Sequence, residues 1–409
     1  MNGRLWNRFW RKIQSLDTGK GRKKMKFQLS QMAQVIGGKL TGDCEFSGFC
    51  IDSRSVLAGE LFLCLKGARV DGHDYAAKAV QSGACGVLAE RLTDAPVPHL
   101  IVPSVLDAIQ KYSSWYRSQK DVWVVGVTGS VGKTTTKEYI SAVLSQKYPT
   151  YKTPGNQNSE IGLPLTLLHI EETHRAAVIE MGMSGLGEIS VLSRLARPKI
   201  GVITNIGLSH IEFLGSQENI LKAKLEILEG MASDGFLVLN GDDVFLSQVS
   251  VPGRKIYTYG LGNPSFDFYA DRVAALPQGT SFTAKTPMGN IDILLSMDGI
   301  HNVYNALAAV AVGILSGVEP ERIAKGLREM ENAPLRQNIY EKDGPTIIED
   351  CYNASPASMT AALDVLKGKP GRKVVVLGDM LELGDLASEL HRQVGEQLNG
   401  VSVLICYGK

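Results

Sequence analysis

Short apolar runs recur along the chain at intervals that fit alternating strands and helices. Four of them, Val122–Val127, Ala177–Glu180, Ile200–Thr204 and Phe236–Leu239, are separated by segments with helical spacing. Near-continuous apolar strands between helices are the pattern of a sheet buried on both faces. Residues 119–333 are therefore predicted to form a doubly wound parallel sheet. Upstream, residues 25–118 place a helical stretch, Tyr75–Val80, between the strand-like runs Leu61–Leu65 and Cys85–Ala89, which predicts a small α/β unit. Downstream, Thr346–Ile348, Lys373–Leu377 and Val401–Ile405 read as strands and Pro356–Leu366 as a helix, a third, Rossmann-like unit over 334–409. A doubly wound unit is expected to need about 120 residues. Only about 75 remain after residue 333, so this third unit is predicted to be incomplete. Ala333-Pro334 marks the junction and is a candidate hinge. The fold class is α/β in three domains.

The stretch Thr128-Gly129-Ser130-Val131-Gly132-Lys133-Thr134-Thr135 follows the first strand and leads into the helical run Lys137–Leu144. Strand, glycine turn and helix are the layout of a phosphate cradle, in which backbone N–H groups face an anion at a helix N-terminus. Lys133 can reach the β- and γ-phosphates, and the Thr134 hydroxyl can ligate Mg²⁺. The usual spacing puts glycine where Val127 stands, and an ordinary Gly-rich turn is the plain alternative. The flanking strand and helix favour the nucleoside triphosphate.

Ligands of open α/β sheets bind beyond the carboxyl ends of strands. Glu180 ends the second strand, ahead of Gly182 and Gly185, where a carboxylate can hold Mg²⁺; the bland reading is a solvated strand-end acid. His210 follows the third strand and reads as a metal or phosphate contact rather than a surface imidazole. Lys224 lies on a helix, Asn219–Leu228, among Ile220, Ala223, Leu225 and Ile227. A cation placed so is costly unless paired or modified, or unless it snorkels to solvent, and physics alone leaves both readings open. Asn302 and Asn305 share one helix face, and their amides carry the donor and acceptor an adenine edge requires, although Asn near a helix start is often only a cap.

Composition narrows little. A net charge of +1 gives no hint of a nucleic-acid or membrane-surface partner. Six cysteines without CxxC spacing speak against a zinc site or disulfide framework and suit a reducing cytoplasm. No apolar run is long enough for a transmembrane helix. Residues 1–24 carry Arg4, Arg8, Arg11, Lys12, Lys20, Arg22, Lys23 and Lys24 without a continuous apolar segment. They read as a disordered basic leader rather than a secretory signal, with a weak amphipathic surface helix or a true start at Met25 as alternatives.

Taken together, these residues resemble the Mur ligases, ATP-dependent amide-forming enzymes of bacterial cell-wall synthesis. The matching elements are Thr128–Thr135, Asn156-Gln157-Asn158 followed by Ile161–Pro164, Glu180-Met181-Gly182, Thr204–Gly207 with His210, Ala223-Lys224, and His301-Asn302 with Asn305. Asp350–Pro356 and Gly378–Gly384 are similar to the branch that adds D-alanyl-D-alanine. Asp52-Ser53-Arg54 and Asp71–Asp74 resemble that family's uridine-nucleotide domain.

The resemblance implies roles. Thr128, Gly129, Ser130, Val131, Gly132, Lys133, Thr134 and Thr135 would hold the ATP phosphates. Thr134 and Glu180 would bind one Mg²⁺, and His210 and Lys224 would serve a second, with Lys224 carbamylated by CO₂. His301, Asn302 and Asn305 would contact adenosine, and Arg336 and Asp350 would close over the nucleotide. Ser53, Arg54, Thr153, Asn156 and Asn158 would contact the UDP-muramoyl-tripeptide, and Asn353 and Ser355 the D-alanyl-D-alanine. Lys133, Lys224, His210 and Arg336 would be the catalytic set. The reaction would pass through an acyl phosphate in a cytoplasmic monomer. A different ligase of the same superfamily, such as another Mur step or a folate-polyglutamate ligase, and a non-ligase ATP-hydrolysing switch are the alternatives; the third-unit motifs speak against the first, and His210, Lys224 and a uridine-type domain against the second.

Overall fold

The computed structural model describes residues 26–67 and 69–408; the basic leader lies outside them. Residues 26–120, joined by Pro164–His169, form one compact unit, and residues 121–163 with 170–408 form another. The junction expected near residue 333 falls inside the second.

The first unit holds a five-stranded sheet in the order Lys39–Leu40, His99–Ile101, Gly86–Ala89, Leu61–Leu63, Phe49–Cys50, parallel except at the Lys39–Leu40 edge. The predicted helix appears as Ala76–Gln81. A longer helix, Val105–Ser118, begins where the Ser104 side chain accepts a hydrogen bond from Asp107 N at 3.2 Å, which satisfies one of the orphan donors of the first turn.

The main sheet of the second unit has nine strands: β1 Trp123–Thr128, β2 Thr150–Lys152, β3 Ala176–Glu180, β4 Ile200–Ile203, β5 Phe236–Asn240, β6 Ile256–Leu261, β7 Phe268–Leu276, β8 Gly279–Thr286 and β9 Gly289–Leu295. Their order is β9-β8-β7-β6-β5-β4-β1-β3-β2. The run from β2 to β7 is parallel, as the apolar strands predicted, but β7, β8 and β9 form an antiparallel meander. This extension differs from a purely parallel sheet because its strands alternate. In β9 the buried residues are Ile291, Ile293 and Leu295, with exposed Asp292 and half-buried Leu294 between them, the signature of a sheet covered on one face only.

Two helices lock the P-loop to this sheet. The helix α1, Lys133–Leu144, packs against α3, Ile300–Leu315; between them in sequence lies α2, Gln217–Leu225. Residues 305–314 of α3 are all buried, so it runs through the core rather than along its surface. Its first turn carries Asn302, and Asn305 follows one turn later, at the carboxyl edge of the sheet. Beyond it, a hairpin of Asn338–Glu341 and Thr346–Glu349 precedes helix Pro356–Gly368, and Val374–Gly378 pairs in parallel with Val403–Tyr407.

Candidate active site

The P-loop forms at the end of β1. Gly132 is the N-cap of α1 with φ 85°, and Gly129 has φ 148°; a side chain at Gly129 would meet Thr204 Oγ1 at 1.9 Å. The loop after β4 clamps it from one side. Val131 N donates to Asn205 Oδ1 at 2.9 Å, while Asn205 Nδ2 and Thr204 Oγ1 donate to Val131 O at 2.9 and 2.6 Å. Lys133 Nζ folds back to donate to Gly129 O at 2.8 Å and Ser130 O at 3.3 Å. Burial depresses its basicity, the Glu180 charge opposes this, and the Arg336 charge adds to it.

Glu180 is 1% exposed at the end of β3. Its Oε1 accepts from Asn158 Nδ2 at 2.7 Å and Thr134 Oγ1 at 3.3 Å, and its backbone N donates to Thr153 Oγ1 at 2.9 Å. Its Oε2 has no hydrogen-bond partner. A hydroxyl and a carboxylate side by side, one carboxylate oxygen free of hydrogen bonds with the Lys137 ammonium 3.6 Å away, fit Mg²⁺, which binds through few protein oxygens and takes the rest from phosphate and water.

His210 caps a short helix, Ile211–Leu214, with φ 65°. Its Nδ1 lies 2.5 Å from Glu382 Oε2, an ion-pair contact. Burial lowers the basicity of His210 against the pull of Glu382, and Lys133 and Lys224 lower it further. Lys224 is 1% exposed on α2, and among the described residues no carboxylate pairs with it. Burial first, then the Lys133 charge, drives its basicity well down. The geometry excludes the snorkelling reading, since the ammonium does not reach solvent.

Two cavities adjoin the P-loop. One, of about 260 Å³, is faced by Lys133, Thr134, Asn158, Glu180, His210, Arg336, Asn353 and Ser355. The other, of about 180 Å³, is faced by Thr135, His301, Asn302, Asn305, Arg336 and Asp350, with Tyr259 and Tyr304. Asn302 and Asn305 are buried members of a hydrogen-bonded chain rather than helix caps. Thr136 Oγ1 donates to Asn305 Oδ1 at 3.1 Å, Asn305 Nδ2 to Asn302 Oδ1 at 3.3 Å, and Asn302 Nδ2 to Gln337 Oε1 at 2.9 Å. Burial pushes His301 down to about 4 and raises Asp350, with Arg336 opposing the rise in Asp350.

The predicted residues do not all meet. Thr128, Gly129, Thr153, Asn156 and Lys224 face neither cavity. Thr153 and Lys224 are both buried, and Thr153 Oγ1 accepts from the Glu180 backbone N. Ser53 and Arg54 belong to the other compact unit; Ser53 is buried there, and Arg54 pairs with Asp52 at 2.7 Å. Sequence reasoning missed Tyr352, whose ring lies 4.2 Å from the Arg336 guanidinium and whose hydroxyl meets Asn156. It stands inside the Asp350–Pro356 motif, which was the available signal. Glu382 stands inside the Gly378–Gly384 motif but its pairing with His210 was missed, and so was Gln337, because their partners are remote in sequence.

Three family models match: the Mur ligase family catalytic domain over residues 45–116, the Mur ligase middle domain over 127–313, and the Mur ligase glutamate ligase domain over 335–409. The UDP-N-acetylmuramoyl-tripeptide–D-alanyl-D-alanine ligase of Bacillus subtilis is 41% identical, over 94% of this chain and 86% of its own. The Escherichia coli enzyme of that name is 38% identical, over 93% and 86%. Among solved structures, MurF from Acinetobacter baumannii superposes with a TM-score of 0.88 at 34% identity, covering 94% of this chain and 86% of that one. MurF from Thermotoga maritima in complex with ADP gives 0.79 at 32%, covering 88% and 84%. The chain belongs to the Mur ligase family and has its three-domain α/β architecture. Among the described residues no helix is long and apolar enough to cross a membrane.

Proposed function

We propose that this protein joins D-alanyl-D-alanine to a UDP-N-acetylmuramoyl-tripeptide, converting ATP to ADP and phosphate, in the cytoplasmic synthesis of peptidoglycan precursors. The relatives that carry this activity in their names, and the ADP complex of one structural neighbour, support the reading. The single observation that carries it is the convergence of Lys133, Glu180, His210, Arg336 and Asn353 on one cavity beside a purine-sized one. We place the ATP-binding domain at 119–333 and the dipeptide-binding domain at 334–409, in a monomer.

In this mechanism the P-loop amides and Lys133 hold the ATP phosphates, Lys133 leaving its present contacts with Gly129 O and Ser130 O. Thr134 and Glu180 would hold one Mg²⁺, and His210 with a carbamylated Lys224 would serve a second. Such ions would supply charge neutralisation on the transferring phosphoryl group. A carbamate would replace the poorly placed cation of Lys224 with an anion. His301, Asn302 and Asn305 seat the adenosine, with Asp350 and Arg336 over it. Stacking on Tyr352 orients Arg336 toward the γ-phosphate. A carboxylate oxygen of the tripeptide attacks the γ-phosphorus and ADP leaves, giving an acyl phosphate. The dipeptide amine, positioned by Asn353 and Ser355, attacks the acyl carbon, and the tetrahedral intermediate expels phosphate. Cations around the cavity stabilise the charge that develops at each step. Asn156 and Asn158 contact the muramoyl substrate, and Thr153 supports that loop from below.

The test is phosphate release with each acceptor omitted in turn, run with ¹⁸O in the tripeptide carboxyl. Release that needs both substrates and carries ¹⁸O into phosphate is expected. Release without the dipeptide, or phosphate free of label, would overturn the reading.

A further inference from the structure

One buried cation has no part in this mechanism. Lys137 lies on α1, three residues beyond Thr134 and so on the same face. It is 0% exposed. Burying an ammonium is costly unless it is hydrogen-bonded and paired with opposite charge, and here two donors are hydrogen-bonded and two carboxylates lie close. Its Nζ donates to Thr153 O at 2.8 Å and Gly155 O at 3.2 Å. It also lies 3.2 Å from Glu138 Oε1 and 3.6 Å from Glu180 Oε2. An ammonium has three donors and no acceptor, so two go to a loop backbone and the third faces carboxylates.

The loop so held leaves β2 at Lys152 and turns at Gly155, with φ 52°. Its carbonyls at 153 and 155 have no strand partner, because the ladder with β3 ends at Lys152. Backbone groups buried outside a ladder need another partner, and Lys137 is that partner. The same loop presents Asn158, whose side chain is fixed by Glu180 Oε1 at 2.7 Å. Lys137 pins the loop from beneath at its backbone, Glu180 holds it at its tip, and Lys137 faces the other oxygen of that same carboxylate. One side chain thereby ties the P-loop helix, the strand-end acid and the segment 153–158 into a single block.

We infer that Lys137 is a positioning residue that fixes the acceptor-substrate loop 153–158 against the nucleotide site, setting the distance between the tripeptide carboxyl and the γ-phosphate. The inference rests on the reading that this loop meets the muramoyl substrate, and it names a residue outside the set assigned above. A plain structural ion pair would lower stability on removal and leave all kinetic constants moving together. A positioning role shifts one KM alone.

The test uses Lys137→Gln, which keeps donors for the two carbonyls, and Lys137→Met, which keeps none. Circular dichroism first establishes that each is folded. Expected for Lys137→Met is a KM for the muramoyl-tripeptide raised at least about tenfold, with the KM for D-alanyl-D-alanine within about twofold and the Kd for ADP unchanged. Lys137→Gln is expected to recover most of that loss. Hydrogen exchange in the substrate-free protein reads the pinning whatever the reaction is. The amides of Gln157 and Asn158, bonded to Pro154 O and Asn156 O, should exchange at least about tenfold faster in Lys137→Met, or in Lys137→Gln should the Met variant not fold. Unchanged exchange at these amides overturns the inference. So does a uniform shift of all three constants. Faster exchange with no ligation in the wild type would instead refute the proposed reaction and leave the pinning standing.

Discussion

Gly132 and Gly187 offer a matched pair. Both are helix N-caps in the left-handed region, with φ 85° and 86°. A Cβ at Gly187 meets nothing within 4 Å, whereas one at Gly132 would lie 2.5 Å from Asn305 Oδ1. Alanine at either position carries the left-handed penalty of about 1–2 kcal/mol. At Gly132 it must also displace the Asn305 amide, breaking its 3.1 Å bond from Thr136 and its 3.3 Å bond to Asn302, each worth about 0.5–1.5 kcal/mol. Gly187→Ala should therefore lower stability by about 1 kcal/mol and Gly132→Ala by about 3 kcal/mol. At roughly 2–4 °C per kcal/mol for domains of this order, the two Tm values should separate by several degrees. The functional consequence separates them further. With Asn302 and Asn305 out of place, ADP affinity measured by calorimetry should fall at least about tenfold, or about 1.4 kcal/mol, in Gly132→Ala and stay unchanged in Gly187→Ala. Equal Tm losses with wild-type ADP binding in both would refute the coupling of the P-loop to the purine pocket through Asn305.

Three further outcomes follow from the same geometry. Lys133→Ala should abolish turnover while circular dichroism stays native, because its Nζ bonds only loop carbonyls; a lost folded signal would contradict this. Lys224→Met should remove the response of the wild-type Tm to added bicarbonate, since only the lysine can form a carbamate, and short carboxylates should partly rescue the turnover of Lys224→Ala; a bicarbonate response that survives in the Met variant would sink the carbamate. His301, held near 4 against 6.5 unfolded, binds its proton more readily when unfolded. Its contribution therefore makes stability rise with pH between about 4 and 6.5 and stay flat above, a span of about 3 kcal/mol at 1.36 kcal/mol per pKa unit. His301→Phe should flatten that slope in denaturant titrations at stepped pH, and an unaltered slope would show that another group titrates there.

What could be read from the sequence follows the reach of each interaction. The P-loop was legible because its strand, turn, lysine and hydroxyl are contiguous. Lys224 was legible as a problem, because its apolar neighbours lie on its own helix, although that helix ends at Leu225 and tightens into a 3₁₀ turn over Glu226–Gly230. The antiparallel strands β7 to β9 were not distinguished, since their half-buried alternation lacks the apolar runs that marked the parallel ones. Glu382 was read only as part of the Gly378–Gly384 motif, without its role, and Gln337 escaped entirely. Their partners, His210 and Asn302, lie 172 and 35 residues away, and no local pattern announces a contact across the sheet's edge. Gln337 also has φ 47°, a conformation that nothing in Arg336-Gln337-Asn338 predicts for a residue other than Asn or Gly.

The balance of charge explains why these residues belong together. Lys133 and Arg336 face one cavity, Lys224 lies buried close by, and the interactions recorded among them are repulsive: Arg336 depresses Lys133, and Lys133 depresses Lys224. Glu180 is the acid among them whose charge offsets Lys133, and one of its oxygens is already committed to Asn158 and Thr134. A folded protein retains such crowding only where an anion relieves it, because each lost proton or unpaired cation lowers stability. A triphosphate supplies that anion, and a carbamate on Lys224 would supply a second at the point where the first cannot reach. The mutual repulsion of these cations thus favours a ligand in proportion to the negative charge it brings to the cavity. This is why a diphosphate should relieve less of the strain than a triphosphate, and why phosphoryl transfer to a carboxylate, which moves negative charge without removing it from the cavity, is the chemistry that this set of cations can follow to its end.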